Sequence, residues 1–357
     1  MKVLIIIPND ALGGAEQYLK MVASYFKEAT VDIYFITAYD TKLWDNIKNN
    51  TNQHFCSTSN KFLGVLKFLF LSQKQKKEYD YVFTSHIYIN ALVGILLKLK
   101  ILKTKKFIAR ESTSIFLRYK GLKLFLYKLA YKIGYKKIDL LICQTELMKN
   151  QLIQHFKSIE KKTKIVTIPN PLNFEYLLNE RAKEGVNLPF EYIVSAGRFI
   201  PEKGFDLLIN AFYHVKISYP NLKLILLGDG ELKPDLVAQI KYLSLDNDII
   251  LPGHVNNVLS YFKSAKLCVV SSRIEGFPNV LLQMMSQNNK VASTTCAGGI
   301  DKIEGIYLAK PNDVESLKIA IEKALSTSNS TSNRSKFDNY LSDRDIDKFI
   351  KKIIAIT

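Results

Sequence analysis

Cysteine and histidine are scarce in this chain of 357 residues. The four cysteines, Cys56, Cys143, Cys268 and Cys296, stand far apart and show none of the paired spacings of a zinc site or a redox dithiol. That argues against disulfide-stapled and zinc-ribbon folds and agrees with a reducing compartment. The five histidines have no ligand spacing either, so no metal or other cofactor is expected. Long apolar runs are also missing. The opening MKVLIIIPND holds five apolar residues in a row before Pro8, Asn9 and Asp10 end the run, too short for a signal-peptide core. FLGVLKFLFL and ALVGILLKLKIL are broken by lysine short of the roughly 20 residues a spanning helix needs. No membrane-crossing segment is expected, and the first run reads as a buried strand.

Acidic residues are scarce in the first half alone. Up to residue 172 there are 28 Lys and Arg against 12 Asp and Glu, net +16; from 173 onward there are 22 against 21, net +1, and the two sum to the +17 of the whole. Residues 98–137 hold thirteen basic side chains and a single acid, Glu111, which predicts one positive face. Three surfaces would fit that face: a merely solvated one, one for anionic lipid, or one for nucleic acid.

What is present is a repeated alternation. VLIII at 3–7, VDIYFI, YVFT, KFIA, LLIC and KIVTI are short β-branched runs separated by longer helical patterns, the pattern of parallel strands with crossover helices. The alternation lapses over 171–190, read as a linker, and restarts with EYIVSAG, LKLILLG, DIILPG, LCVVSS and KVAST. The expected fold is α/β, two doubly wound Rossmann-like domains facing a cleft. The boundaries are 1–170, a linker at 171–190, 191–342, and a C-terminal helix within 343–357 that packs back on the first domain. STSNSTSN, 326–333, reads as a low-complexity loop.

Glycines recur where strands should end. Gly13 and Gly14 in DALGGAEQYL open a helix after the first strand, where amides can approach an anion. The stretch has neither the Gly-x-Gly-x-x-Gly spacing of dinucleotide sites nor the Lys-Ser/Thr ending of a phosphate loop. Gly197 and Arg198 follow the strand in SAGRFIPEKGF, with Lys203 just before the next helix; two cations on one loop can grip a diphosphate. Gly228 in LLGDGEL and Val255 in LPGHV repeat the strand-end loop.

With GGAE, GRFIPEKG, GDGE, PGHV and EGFPNVLLQ read in that order, the chain resembles the family 4 glycosyltransferases, retaining enzymes of the two-Rossmann-domain kind called GT-B. The resemblance covers nearly the whole chain, and its most specific part is SSRIEGFPNVLLQMMSQ followed by CAGGIDKI. It implies that Glu275 accepts hydrogen bonds from hydroxyls of the donor hexose. Amides of the Gly276, Phe277, Pro278, Asn279 and Val280 turn would hold sugar and diphosphate. Gln283 stands where the family has a second glutamate that binds the ribose, and eight residues at 3.6 per turn would bring it to nearly the face of Glu275. A neutral amide there implies weaker nucleotide affinity. His86, just past a strand in FTSHIYINALVG, matches the family's histidine beside the donor sugar; Arg110 and Glu111 in FIARESTS match positions facing the acceptor. The implied reaction transfers a hexose or N-acetylhexosamine from a nucleotide diphosphate sugar, UDP foremost, to a lipid-linked oligosaccharide in O-antigen or capsule-type synthesis. Metal-independent retention is implied, with Arg198 and Lys203 neutralising the leaving diphosphate.

In YKGLKLFLYKLAYKIGYKK, 119–137, Leu122, Phe125, Leu126, Leu129 and Ile133 form one apolar stripe ringed by lysines. Two readings are open: a helix packed in the core with lysines at its margins, or one lying on anionic lipid. The second would place the chain in the cytoplasm, peripheral on the inner face of the cell membrane. A nucleic-acid-binding protein is the rival reading; it accounts for the charge but leaves the motifs of the nearly neutral second half unexplained. A non-catalytic partner subunit is a third, raised by Gln283.

Overall fold

The β-branched runs of both halves form parallel strands buried on both faces, and the segments between them cross over as helices. The computed structural model describes residues 1–38, 42–45, 47, 50–57, 60–75, 77–157, 159–328 and 331–357. The first half runs β1 (Lys2–Ile7), α1 (Gly14–Tyr25), β2 (Thr30–Phe35), β3 (Thr51–Phe55), α2 (Lys61–Gln75), β4 (Glu78–Thr84), α3 (Ile87–Lys98), β5 (Lys103–Arg110), α4 (Ile115–Arg118), α5 (Gly121–Gly134), β6 (Leu140–Cys143), α6 (Glu146–His155) and β7 (Lys164–Thr167). Its sheet has the order β3-β2-β1-β4-β5-β6-β7 with every neighbouring pair parallel.

The second half runs α7 (Phe174–Ala182), β8 (Tyr192–Ala196), α8 (Phe205–Ser218), β9 (Lys223–Leu227), α9 (Lys233–Tyr242), β10 (Ile249–Gly253), α10 (Val258–Ser264), β11 (Leu267–Val270), α11 (Asn279–Gln287), β12 (Val291–Thr294), β13 (Ile306–Ala309), α12 (Val314–Ser326), α13 (Thr331–Ser342) and α14 (Ile346–Ile356). Its sheet order is β10-β9-β8-β11-β12-β13, again parallel throughout. In each sheet the winding reverses once, between β1 and β4 and between β8 and β11. Crossovers leave in opposite directions at such a point, so a crevice opens there above the carboxyl ends of the strands.

The chain divides into two compact units, Met1–Leu172 with Asp345–Thr357, and Asn173–Arg344. Helix α14 therefore belongs to the N-terminal unit: Phe349, Ile350 and Ile353 join the core beneath α1, and the Phe349 ring meets Tyr18 edge-on at 5.7 Å. Residues 171–190 are more than a linker. Asn173 caps α7 by accepting from the Tyr176 amide at 2.9 Å, and Leu177 is buried in the C-terminal unit. The 326–333 stretch is likewise not all loop, since α13 starts at Thr331; residues 329 and 330 lie outside the described residues. No helix among the described residues is long and apolar enough to cross a membrane.

The stripe on α5 faces outward. Leu124, Tyr127, Ala130, Tyr131 and Gly134 turn to the core, while Leu122 at 73 % and Phe125 at 61 % exposure, with Leu126, Leu129 and Ile133, meet solvent. The periodicity was legible, but the aromatic and small face is the buried one.

Arg110 and Glu111, expected to face an acceptor, lie in the interior instead. The Arg110 guanidinium donates to Ser85 Oγ at 2.8 Å and to Asn170 Oδ1, and lies 4.5 Å from the centre of the Tyr18 ring. The Glu111 carboxylate accepts from Tyr131 at 2.6 Å and Tyr135 at 2.8 Å. Asn90 continues the network, donating to Tyr135 Oη at 3.1 Å and accepting from Thr84 Oγ1 at 2.6 Å. Most of these buried polar groups are paired, as the cost of an unpaired one requires, although Arg110 Nε has no hydrogen-bond partner among the described residues. Both side chains are buried and tie α3, α5 and the ends of β4 and β5 together.

Burial pushes the Glu111 carboxyl up to about 7, against the opposing pull of the two phenols and Arg110. Its folded pKa thus lies above the unfolded value, so the stability that this one group contributes is full below the unfolded pKa and is lost as pH rises through about 7. Replacing Glu111 by Gln removes this linkage. In urea titrations the stability of the variant relative to wild type is expected to rise by about 2–3 kcal/mol between about pH 5 and 8, at ~1.4 kcal/mol per pH unit; a pH-independent difference would contradict the assignment.

Candidate active site

At the β8–β11 reversal two loops far apart in sequence are stapled together. The Arg273 guanidinium grips Asp206 through two bonds, 2.7 and 2.5 Å, and donates to the Pro201 carbonyl at 2.8 Å. The Arg273 amide donates to Glu202 O at 2.7 Å, and Ser271 Oγ donates to Lys203 O at 2.9 Å. Burial works to raise Asp206, but the bonds from Arg273 outweigh it and hold the carboxyl below its usual range. Gly204 makes the approach possible. Its φ of +63° favours glycine, and a Cβ there would lie 2.3 Å from the Ser271 carbonyl oxygen.

The staple sets Lys203 against Glu275, Nζ to Oε1 at 2.5 Å, each side chain about a fifth exposed at 19 % and 18 %. Ser272 Oγ donates to the same oxygen at 3.1 Å, and the Glu275 amide donates to Cys296 O at 2.9 Å in the loop after β12. Thr294 Oγ1 in turn donates to Ser272 O at 2.6 Å. Both protein bonds fall on Oε1, and Oε2 has no partner among the described residues. The carboxylate is therefore fixed in direction with one oxygen left to accept.

A third loop closes in from β9. A Cβ on Gly228 would come within 2.0 Å of Gly197 O, and the Phe199 amide donates to Asp229 O at 2.8 Å, so the two glycines let the β8 and β9 loops press together. Arg198 leaves this junction exposed, with no side-chain partner among the described residues; the structure joins Lys203, not Arg198, to Glu275. Val255 follows β10, half-buried.

Gly276, Phe277 and Pro278 are buried in the turn that leads into α11, and Pro278 gives the helix no side-chain cap. The first-turn amides, Asn279 and Val280 among them, thus carry the positive end of the helix dipole toward the Glu275 loop. Helical spacing does not relate Glu275 to Gln283. The helix begins at Asn279, four residues after Glu275, so the turn sets their relation, and Gln283 lies half-buried at the start of the second turn of α11.

The N-terminal unit builds a second constellation at its own reversal. Gly13 and Gly14 open α1 after β1, and His86 follows β4 at the N-terminus of α3. His86 Nε2 lies 2.8 Å from Glu16 Oε1, a buried acid in the first turn of α1. Glu16, the last residue of GGAE, was given no role from the sequence, since an acid in a first helical turn is common for dipole reasons alone. No group of three His, Cys, Asp or Glu side chains among the described residues could hold a metal. The Asp-x-Asp spacings at 246–248 and 343–347 serve elsewhere: Asp248 pairs with Lys216 and Lys223, and Asp345 caps α14.

Residues 178–344 match the model of the group 1 glycosyl transferases, and residues 12–176 that of glycosyltransferase family 4. A Campylobacter jejuni protein named N-acetylgalactosamine-N,N'-diacetylbacillosaminyl-diphospho-undecaprenol 4-alpha-N-acetylgalactosaminyltransferase is 30% identical over 261 residues, 71% of this chain and 70% of that one. An uncharacterized glycosyltransferase of Methanocaldococcus jannaschii is 37% identical over 231 residues, 62% of this chain and 56% of its own length. Among solved structures, Anabaena HepE in complex with UDP-glucose shares the fold with a TM-score of 0.79 at 18% identity, covering 99% of this chain and 98% of that one. With its two parallel α/β units and both halves matched, the chain belongs to the family 4, group 1 glycosyltransferases of GT-B fold.

Proposed function

We propose that the chain is a retaining glycosyltransferase that moves a hexose or N-acetylhexosamine from a UDP-sugar to a lipid-linked saccharide in the synthesis of a surface polysaccharide. The observation that carries this reading is the Glu275 carboxylate, held on Oε1 by Lys203 and Ser272 with Oε2 left to accept from sugar hydroxyls. Lys203 and the exposed Arg198 supply positive charge for a departing diphosphate, and the amides at the start of α11 add to it. Gln283 meets the ribose, and His86 stands beside the transferred sugar. The leaving diphosphate oxygen takes the proton of the incoming hydroxyl as it attacks from the same face, so the reaction needs neither a protein base nor a metal. Two relatives support donor and acceptor class: HepE is described with UDP-glucose, and the Campylobacter protein's name specifies an undecaprenol-diphosphate-linked substrate.

The acceptor reading gives the basic half its role. α5 turns five apolar side chains outward among Lys123, Lys128 and Lys132, and α2 exposes Phe62, Leu63, Leu66 and Phe70 beside Lys67. Both helices pack their inner faces on the same core. Apolar side chains that dip into lipid while lysines meet head groups fit an anionic membrane at the cytoplasmic face. The stripe's apolar content sets this apart from a nucleic-acid surface, where phosphate contacts dominate.

Incubation with a panel of UDP- and GDP-sugars is expected to give nucleotide release and thermal stabilisation with a UDP-sugar. Glu275→Ala or Lys203→Ala is expected to lower kcat/KM by about 100- to 1,000-fold, and a variant of either that kept full turnover would refute the site. Gln283→Glu is expected to lower the donor KM several-fold through a charged bond to the ribose; an unchanged or raised KM would remove Gln283 from the ribose subsite. Flotation with anionic liposomes is expected to weaken with salt and to be lost in Leu122→Glu/Phe125→Glu, whereas binding to RNA or DNA in preference to liposomes would favour the rival surface.

A further inference from the structure

We infer that Glu16 is the positioning residue of His86, with Gly13 leaving room for its carboxylate. This rests on the reading that His86 stands beside the transferred sugar. An acid placed only to complement the dipole of α1 would sit in water, yet the Glu16 side chain is 9 % exposed and turned toward the end of β4. There Oε1 meets His86 Nε2 at 2.8 Å. A buried carboxylate needs a donor, and Nε2–H supplies it, which sets the ring flip and, in the neutral ring, the tautomer. Nδ1 is then the nitrogen left over, without a protein partner among the described residues. It is the one offered to a sugar hydroxyl, as an acceptor.

Gly13 completes the device. Its backbone is extended, φ −79° and ψ −179°, open to any L-residue, so torsion does not reserve the position. What a side chain there would change is the carboxylate: a Cβ would lie 2.7 Å from Glu16 Oε2, the movable end of that side chain, and would displace it. Elsewhere the two elements are tied by Arg110, which donates to Ser85 beside His86 and lies over Tyr18 of α1. From α3, the Tyr88 ring packs 5.8 Å from the imidazole. The His86 ring is thus contacted from α1 through Glu16 and from α3 through Tyr88.

The test reads the tautomer directly. In the full-length protein labelled with ¹⁵N-histidine, the neutral His86 ring is expected as the Nε2–H tautomer in wild type and in Glu16→Gln, whose amide oxygen still accepts. A mixture of tautomers is expected in Glu16→Leu. Turnover with a UDP-sugar is expected to fall about 10- to 100-fold in Glu16→Leu, the scale of a misplaced catalytic contact, with UDP affinity unchanged and Glu16→Gln within a few-fold of wild type. Gly13→Ala, which pushes on the carboxylate, is expected to lose part of the same kcat. Glu16→Leu and His86→Ala are expected to be non-additive. A wild-type ring already mixed, or a Glu16→Leu protein with wild-type turnover, would overturn the inference. Full turnover in His86→Ala with the tautomer fixed would instead fault the placing of His86 beside the sugar.

Discussion

The contact between Lys203 and Glu275 joins loops 72 residues apart in sequence, and the rest of the C-terminal site is arranged around it. Left to themselves the two loops would carry opposite charges on mobile chain. The bidentate Arg273–Asp206 pair, the backbone bonds from Arg273 and Ser271, and the absence of a side chain at Gly204 remove that freedom before any ligand arrives. Paying orientational entropy in the fold rather than at the moment of reaction is what makes such a site effective. The pair is only partly buried, so it escapes the full desolvation penalty of an interior ion pair while keeping a direction that a solvated carboxylate would lack.

The N-terminal unit uses its polar groups differently. Arg110, Glu111, Asn90, Tyr131 and Tyr135 form a buried network that fixes the ends of β4 and β5 under α5. The charge it contains is structural. The charge available to a partner lies outside, on lysines flanking exposed leucines and phenylalanines of α2 and α5. One unit thus divides its ionisable side chains between an interior scaffold and an outer surface, and the composition alone cannot say which lysine, arginine or glutamate goes where.

Much of the architecture was readable because parallel strands buried on both faces leave unbroken β-branched runs. Two strands were missed for the converse reason. β3, TNQHF, is a half-exposed edge strand whose pairing is secured by the bond from Asn52 to Asp32 and the stacking of His54 on Tyr34. β13, IYLA, is short and at the other edge. Helix α7 escaped notice because FEYLLNERA has little apolar contrast between its faces.

The sequence by itself determined the class of fold, the family, and the two chemical groups of the C-terminal pair, since glycines at strand ends and the EGFPNVLLQ turn are local features with local causes. Tertiary structure decided the rest. Whether Arg198 or Lys203 meets Glu275, that Glu111 is buried against Tyr131 and Tyr135, which face of α5 is outside, and that Glu16 finds His86 all depend on which strand ends are brought side by side. That is fixed by the winding order of each sheet, a long-range property that local spacing does not encode.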